Sequence, residues 1–245
     1  MARKAARSKA RRSTPAAPPP ADTPRAKIVE AFMALLAEQP IEKIGFADLA
    51  ERAGVSLAEL RGEFSSTMAV LAAHVKDLDR QVLAGGDADM DEEDPRERLF
   101  DVLMRRLELL APHKEAVRSL MRSARRNPPL TLALNAMTVR SQQWMLTAAG
   151  INASGPKGMV RAQGLAMLFA NVLRTWIDDD EDQTKTLASL DSQLARGQRL
   201  VGLLDELLRI PQAACAFRDR LRSARRGRRG RDRHRDDGYE DHVAI

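Results

Sequence analysis

Apolar residues recur every third or fourth position along most of the chain and never alternate with period two for long, which predicts an all-helical body. Thr23-Pro24 opens a first helix. The threonine suits an N-cap, and proline at the first helical position lacks the N–H that would go unpaired there. Ile28, Val29, Phe32, Leu35 and Leu36 then make one buried stripe, which Pro40 ends. A second helix, roughly Phe46 to Ala53, has a small apolar face of Ala47, Leu49, Ala50 and Ala53. Gly54-Val55 break the period, and Ser56 with Glu59 three residues later matches a capping box for a third helix. Leu60 and Phe64 are the i, i+4 pair that pins this helix inward, leaving Leu57, Ala58, Arg61 and Gly62 to face out. A fourth helix, about Ser66 to Leu83, buries Met68, Leu71, Ala72, Val75, Leu78 and Val82. Gly45 to Ser66 therefore reads as a helix-turn-helix, two short helices at a steep angle of the kind that places a helix in the major groove of DNA.

Gly85-Gly86 and the acidic run from Asp87 to Asp94 read as a linker. Asp94-Pro95 restarts the helical pattern, which continues over roughly 95–110, 113–125, 129–149, 156–178 and 184–209. Pro112, Asn127-Pro128-Pro129, Gly150 to Pro156 and Asp178 to Asp182 interrupt it. The last helix carries Leu187, Leu190, Leu194, Val201, Leu204 and Leu208, a stripe to be covered by the preceding helix, a second copy of the chain, or both.

Composition narrows the picture. Of 245 residues, 44% are hydrophobic but only 4% aromatic, so Leu, Ala, Met and Val do the packing. No run of about 18 uncharged apolar residues is present, and no transmembrane helix is expected. The single Cys215 excludes an internal disulfide and fits a reducing cytoplasm. The basic N-terminus runs into Pro and Ala, so no secretory signal is expected. Net charge is +6, yet residues 1–12 carry six Lys or Arg with no acid, and Arg218 to Arg235 carry ten Arg against Asp219 and Asp232. Between Thr23 and Phe217 there are 24 basic and 27 acidic residues, so the basic character belongs to the tails. Residues 1–23 and 211–245 read as disordered basic tails, either merely solvated or drawn to phosphate in a salt-dependent way. Ala214, Phe217 and Leu221 among Arg218, Arg220 and Arg222 offer a further alternative, peripheral contact of the C-terminal tail with an anionic membrane.

Catalytic chemistry finds no support. His74, His113, His234 and His242 form no H-x-x-x-H pair, and no phosphate-binding glycine motif is present, so neither enzyme, cofactor nor metal is expected. The acidic run Asp178 to Asp182 reads as a solvated connection, with a cation site as the alternative. Met121, Met137, Trp144, Met145, Met159, Met167, Phe169 and Trp176 read either as ordinary core or as the lining of an apolar pocket.

The segment ADLAERAGVSLAELRGEF, of which LAERAGVS is the most specific part, resembles the N-terminal domain of TetR-family regulators, and the similarity in helix order extends over most of residues 24–209. It implies a three-helix DNA-binding headpiece and connecting helix over 24–84, and a ligand-binding and dimerisation domain over 95–210. It also implies a homodimer paired through the last two long helices. On this resemblance Ser56, Leu57, Ala58 and Arg61 lie near DNA, and Met121, Met137, Trp144, Met145, Met167, Phe169 and Trp176 line a pocket for a hydrophobic small molecule or isoprenoid lipid. The chain departs from the family pattern at Leu60, Gly62 and Glu63, where a Tyr and a further polar or basic residue are common. Ser65-Ser66-Thr67-Met68 also lacks the usual Lys. From Thr23 to Ala84 seven basic residues face nine acidic ones, so either the tails supply charge for DNA or the headpiece no longer binds it.

A second stretch, WMLTAAGI, GLAMLFANVLRTWIDDD and TKTLASLDSQL, is similar to the C-terminal part of the lipid-binding accessory proteins of ubiquinone biosynthesis, which share the fold. The expected function is a cytoplasmic TetR-like transcriptional regulator controlled by a hydrophobic ligand. The alternative is a lipid-binding accessory protein with a vestigial helix-turn-helix.

Overall fold

The computed structural model describes residues 23–86, 93–180 and 182–199, and within them every regular element is helical. Both basic tails, most of the acidic linker, and Val201, Leu204 and Leu208 of the last leucine stripe lie outside the described residues. Among the described residues the α-helices are, in chain order, α1 Pro24–Glu38, α2 Phe46–Ala53, α3 Leu57–Glu63, α4 Thr67–Ala84, α5 Pro95–Leu110, α6 Lys114–Arg126, α7 Pro128–Ala148 and α8 Gly155–Ile177. Residues 184–199 are helical as well.

The helix starts follow from local chemistry. Thr23 Oγ1 accepts the Ala26 N–H at 3.2 Å, Ser66 Oγ that of Ala69 at 3.1 Å, and Asp94 Oδ1 that of Arg96 at 2.8 Å. Asn127 Oδ1 accepts the Leu130 N–H at 3.1 Å, with Pro128 in the first turn of α7. Each acceptor satisfies one donor that the helix itself leaves unpaired.

Two apolar clusters hold the helices together. One gathers Ile28, Phe32 and Leu36 of α1 with Leu49, Leu60, Phe64 and Val70, and it is completed by Ala116 of α6 and Leu130 of α7. The other gathers Leu103 and Leu107 of α5, Met145 of α7, Phe169 and Trp176 of α8, and Leu190. The first three helices therefore do not stand apart, because α1 packs on α6 as well as on α2. Ser119 Oγ of α6 donates to the Gln39 carbonyl at 3.2 Å and strengthens that seam.

Helix α4 departs from the single stripe expected of it. Ala72 is exposed, whereas Val70, Ala73 and Asp79 are buried. The cause is that α4 packs against α1 and also against α5 and α7, so two of its sides are covered.

The connection after α8 is a clamped corner. Asp179 is buried, and its Oδ2 accepts the Thr186 N–H at 2.7 Å and the Thr186 hydroxyl at 2.6 Å. Hydrogen bonds from Thr186 hold this carboxyl below the usual carboxylate range. From α6, Lys114 Nζ donates to the Asp179 carbonyl at 2.7 Å, and Arg118 donates to Asp178 Oδ1 at 2.7 Å and to the Ile177 carbonyl.

At the start of α8 there is no room for a side chain at Gly158. A Cβ there would lie 2.0 Å from the backbone carbon of Ala153, which cannot swing aside as a flexible side chain would. Gly158→Ala is expected to shift the first turn of α8 and destabilise the chain by about 2 kcal/mol, read as a lower urea midpoint at unchanged slope.

Candidate functional site

Two sites emerge, an outward helix face and an internal cavity. The turn between α2 and α3 hinges on Gly54, at φ 66° and ψ 36°, a left-handed conformation that costs glycine little. Its N–H reaches the carbonyls of Ala50 and Glu51 and closes α2. Ser56 then caps α3: its Oγ accepts the Glu59 N–H at 3.2 Å, while Glu59 Oε2 accepts the Ser56 N–H and hydroxyl, both at 2.8 Å. These donors hold the Glu59 carboxyl below its ordinary range. Leu60 and Phe64 are buried, which sets the rotation of α3.

That rotation leaves Leu57 57% exposed, with Ala58, Arg61 and Gly62 also exposed. Ser56 is exposed too, but its hydroxyl is committed to the cap. Two other arginines of the first three helices are neutralised by neighbours. Arg52 grips Glu38 with two bonds, at 3.0 and 2.6 Å. Arg25 lies 3.8 Å from Glu63 and 4.8 Å above the centre of the Phe64 ring. Arg61 has no ion-pair partner among the described residues and is the cation that α3 presents to solvent.

The cavity measures about 870 Å³ and is walled by α1 and α4 to α8. Met33 and Leu36 of α1 and Leu71 of α4 line it, so the wall includes the helix on which α2 and α3 pack. Of the seven residues expected to line a pocket, Met121, Met137, Met167 and Phe169 do so. Trp144 does not: it is 60% exposed and borders a separate groove with Pro156 and Met159. Met145 and Trp176 are fully packed in the body core, Trp176 beneath Lys114, whose Nζ lies 5.5 Å from the ring centre. α7 is apolar on several sides, so residue type alone does not distinguish its cavity side from its core side.

The cavity also has polar walls that apolar periodicity passes over. Arg106 of α5 is 4% exposed, donates from Nη1 to Asp79 Oδ1 of α4, and lies 5.5 Å from the centre of the Phe169 ring. Ser141 Oγ donates to the same Asp79 oxygen at 2.7 Å. His74 meets His113 edge-on with ring centres 4.9 Å apart, and His113 Nε2 lies 4.0 Å from Glu30 Oε2. Burial first, then the charges of His113 and Arg106, push the His74 imidazole down to about 4. The side-chain amides of Asn135 and Gln163 donate to each other through two hydrogen bonds, each 3.0 Å, between α7 and α8. A signal for the ion pair was available in sequence: Arg106 occupies a stripe position between Leu103 and Leu110, and Asp79 one between Val75 and Val82.

No protein-family model matches the chain, and no curated protein matches it. Solved structures do. A TetR transcriptional regulator from Nitrosomonas europaea superposes with a TM-score of 0.56 at 21% identity, covering 72% of this chain and 99% of that one. A TetR transcriptional regulator from a Rhodococcus species superposes with a TM-score of 0.51 at 19% identity, covering 71% and 95%. The chain has the fold of TetR-family transcriptional regulators.

Proposed function

We propose that the chain is a DNA-binding transcriptional regulator that works as a homodimer and is controlled by a hydrophobic small molecule in the cavity. The observation that carries the reading is the α3 face, where a capped and rotationally fixed helix presents Leu57, Ala58 and Arg61 outward, the arginine unpaired among the described residues. Of these, only a guanidinium can make the two-pronged contact to guanine that discriminates base pairs in the major groove. A two-fold pairing through α8 and the helix after it would cover Val160 and Leu187, large apolar side chains left exposed in one copy. Met33 and Leu36 give a cavity ligand direct contact with α1, the helix on which α2 and α3 pack.

The test is selection of bound fragments from genomic DNA at physiological salt with the full chain. Enrichment of a palindromic site is expected, and enrichment of none rejects the reading. Given a site, Arg61→Ala is expected to reduce discrimination against unrelated duplex by about tenfold or more, while weakening nonspecific binding little. Deleting residues 1–22 is expected to act the other way. It should flatten the dependence of affinity on salt, by about one unit of slope for each phosphate no longer neutralised, and leave site preference intact.

The second reading, a lipid-binding accessory protein with a vestigial headpiece, is favoured by the charge of residues 23–84, seven basic against nine acidic. Pairing of Arg52 and Arg25 within the protein adds to it. A deletion strain with low ubiquinone and unchanged transcription supports this reading over the first.

A further inference from the structure

The cavity wall is divided by chemistry. Its exposed residues, among them Arg125, Leu132, Met167 and Arg174, all come from α6, α7 and α8, which places the mouth there. At the other end stand Arg106 of α5, which is buried, and His74 of α4, half-buried but with its Nε2 shut off from solvent. Between the two ends the wall is mostly apolar, with Met33, Met121, Met137, Leu120 and Leu134, and its amides Asn135 and Gln163 are hydrogen-bonded to each other.

Arg106 and His74 each carry a buried nitrogen without a hydrogen-bond partner among the described residues, Nε in the arginine and Nε2 in the histidine. The Arg106 side chain is 5% exposed, so water outside the protein does not solvate it. An unpartnered buried donor is costly, and a cavity that holds two of them on one wall is suited to an acceptor. Charge decides which acceptor. Asp79 already balances Arg106, and the buried imidazole is neutral at ordinary pH. A carboxylate set there would lie against the Asp79 carboxylate with its one neighbouring guanidinium already balanced, and an ammonium would face that guanidinium.

We propose that the cavity takes an uncharged amphiphile that directs a carbonyl-type oxygen at Arg106 Nε–H and His74 Nε2–H and lays its apolar body along the methionine and leucine wall. The proposal rests on the small-molecule reading above and specifies the ligand's chemical class. His74 supplies the second donor as its Nε2–H tautomer, and the flexible thioethers of Met121, Met137 and Met167 accommodate the apolar part without demanding one shape.

Calorimetric titration of the full chain near neutral pH with 2-dodecanone, dodecanoate and dodecyltrimethylammonium, all below micelle-forming concentration, tests it. The three probes share a chain and differ at the head. The ketone is expected to bind about tenfold or more tighter than either ion, and His74→Phe is expected to remove most of that advantage. The paired replacement Asp79→Asn with Arg106→Met, which leaves no buried charge, is expected to do the same. If it fails to fold, His74→Phe alone decides. Dodecanoate or the ammonium binding as tightly as the ketone overturns the carbonyl assignment but leaves a ligand cavity, as does ketone affinity that His74→Phe leaves unchanged. Binding of none of the three rejects the small-molecule reading itself, and the assignment with it.

Discussion

Asp79→Ala is expected to cost the folded chain about 3–5 kcal/mol, because it strands a guanidinium that is nearly out of reach of solvent. Arg106 donates to Asp79 from α5, and Ser141 donates to the same carboxylate oxygen from α7, so one acidic side chain ties three helices. Its loss leaves both donors without their acceptor and makes a small void. The attraction between the charges matters less than the penalty for leaving one alone, so replacing both by apolar residues of similar size, Asp79→Leu with Arg106→Met, should recover most of the loss. Urea unfolding of the two variants beside the unaltered chain measures this. A loss under about 1 kcal/mol for Asp79→Ala would mean that water reaches Arg106 and that the pair is not a buried one.

Acidification gives the next largest expected effect, through His74. The imidazole lies beside His113 and within the field of Arg106, with Glu30 reached only through His113. Its folded value is pushed down to about 4, whereas the unfolded chain takes up the proton near the ordinary histidine value of about 6.5. In the window between, the unfolded state binds more protons, so stability is full above the upper value and falls as pH drops toward the lower. The displacement corresponds to roughly 3 kcal/mol across the window. His74→Phe should flatten that part of the profile when unfolding free energy is followed from pH 7 to 4. Loss from the acid side continues at lower pH through Glu59 and Asp179, whose carboxyls are held ionised by Ser56 and Thr186.

Helix boundaries were legible in sequence because they depend on neighbours. Thr23-Pro24, Gly54, Ser56 with Glu59, Asp94-Pro95 and Asn127-Pro128 each act within a few residues through caps and fixed backbone angles. The structure uses all of them. What lies on which side of a broadly apolar helix depends instead on the neighbouring helices. Trp144 and Trp176 look alike in a one-dimensional pattern, yet one faces outward and the other is buried beneath Lys114. α4 illustrates the same limit, since being packed on two sides turns Val70 and Ala73 inward and Ala72 outward. The polar wall of the cavity escaped for a different reason. A charged residue at a stripe position reads as an interruption until its opposite charge is seen on the next helix, and Arg106 and Asp79 are 27 residues apart.

Because the cavity is walled by six helices from both ends of the described chain, it exists only when all of them are docked. Any occupant therefore binds the native state alone and protects the helices that wall it from proteolysis by mass action. At a hundredfold excess over its dissociation constant that protection amounts to about 2.7 kcal/mol. The half-life of the chain in the cell would then rise and fall with the abundance of the ligand. A cell extract that slows digestion of the purified chain would contain the ligand, and fractionating that extract could isolate it before any DNA site is known.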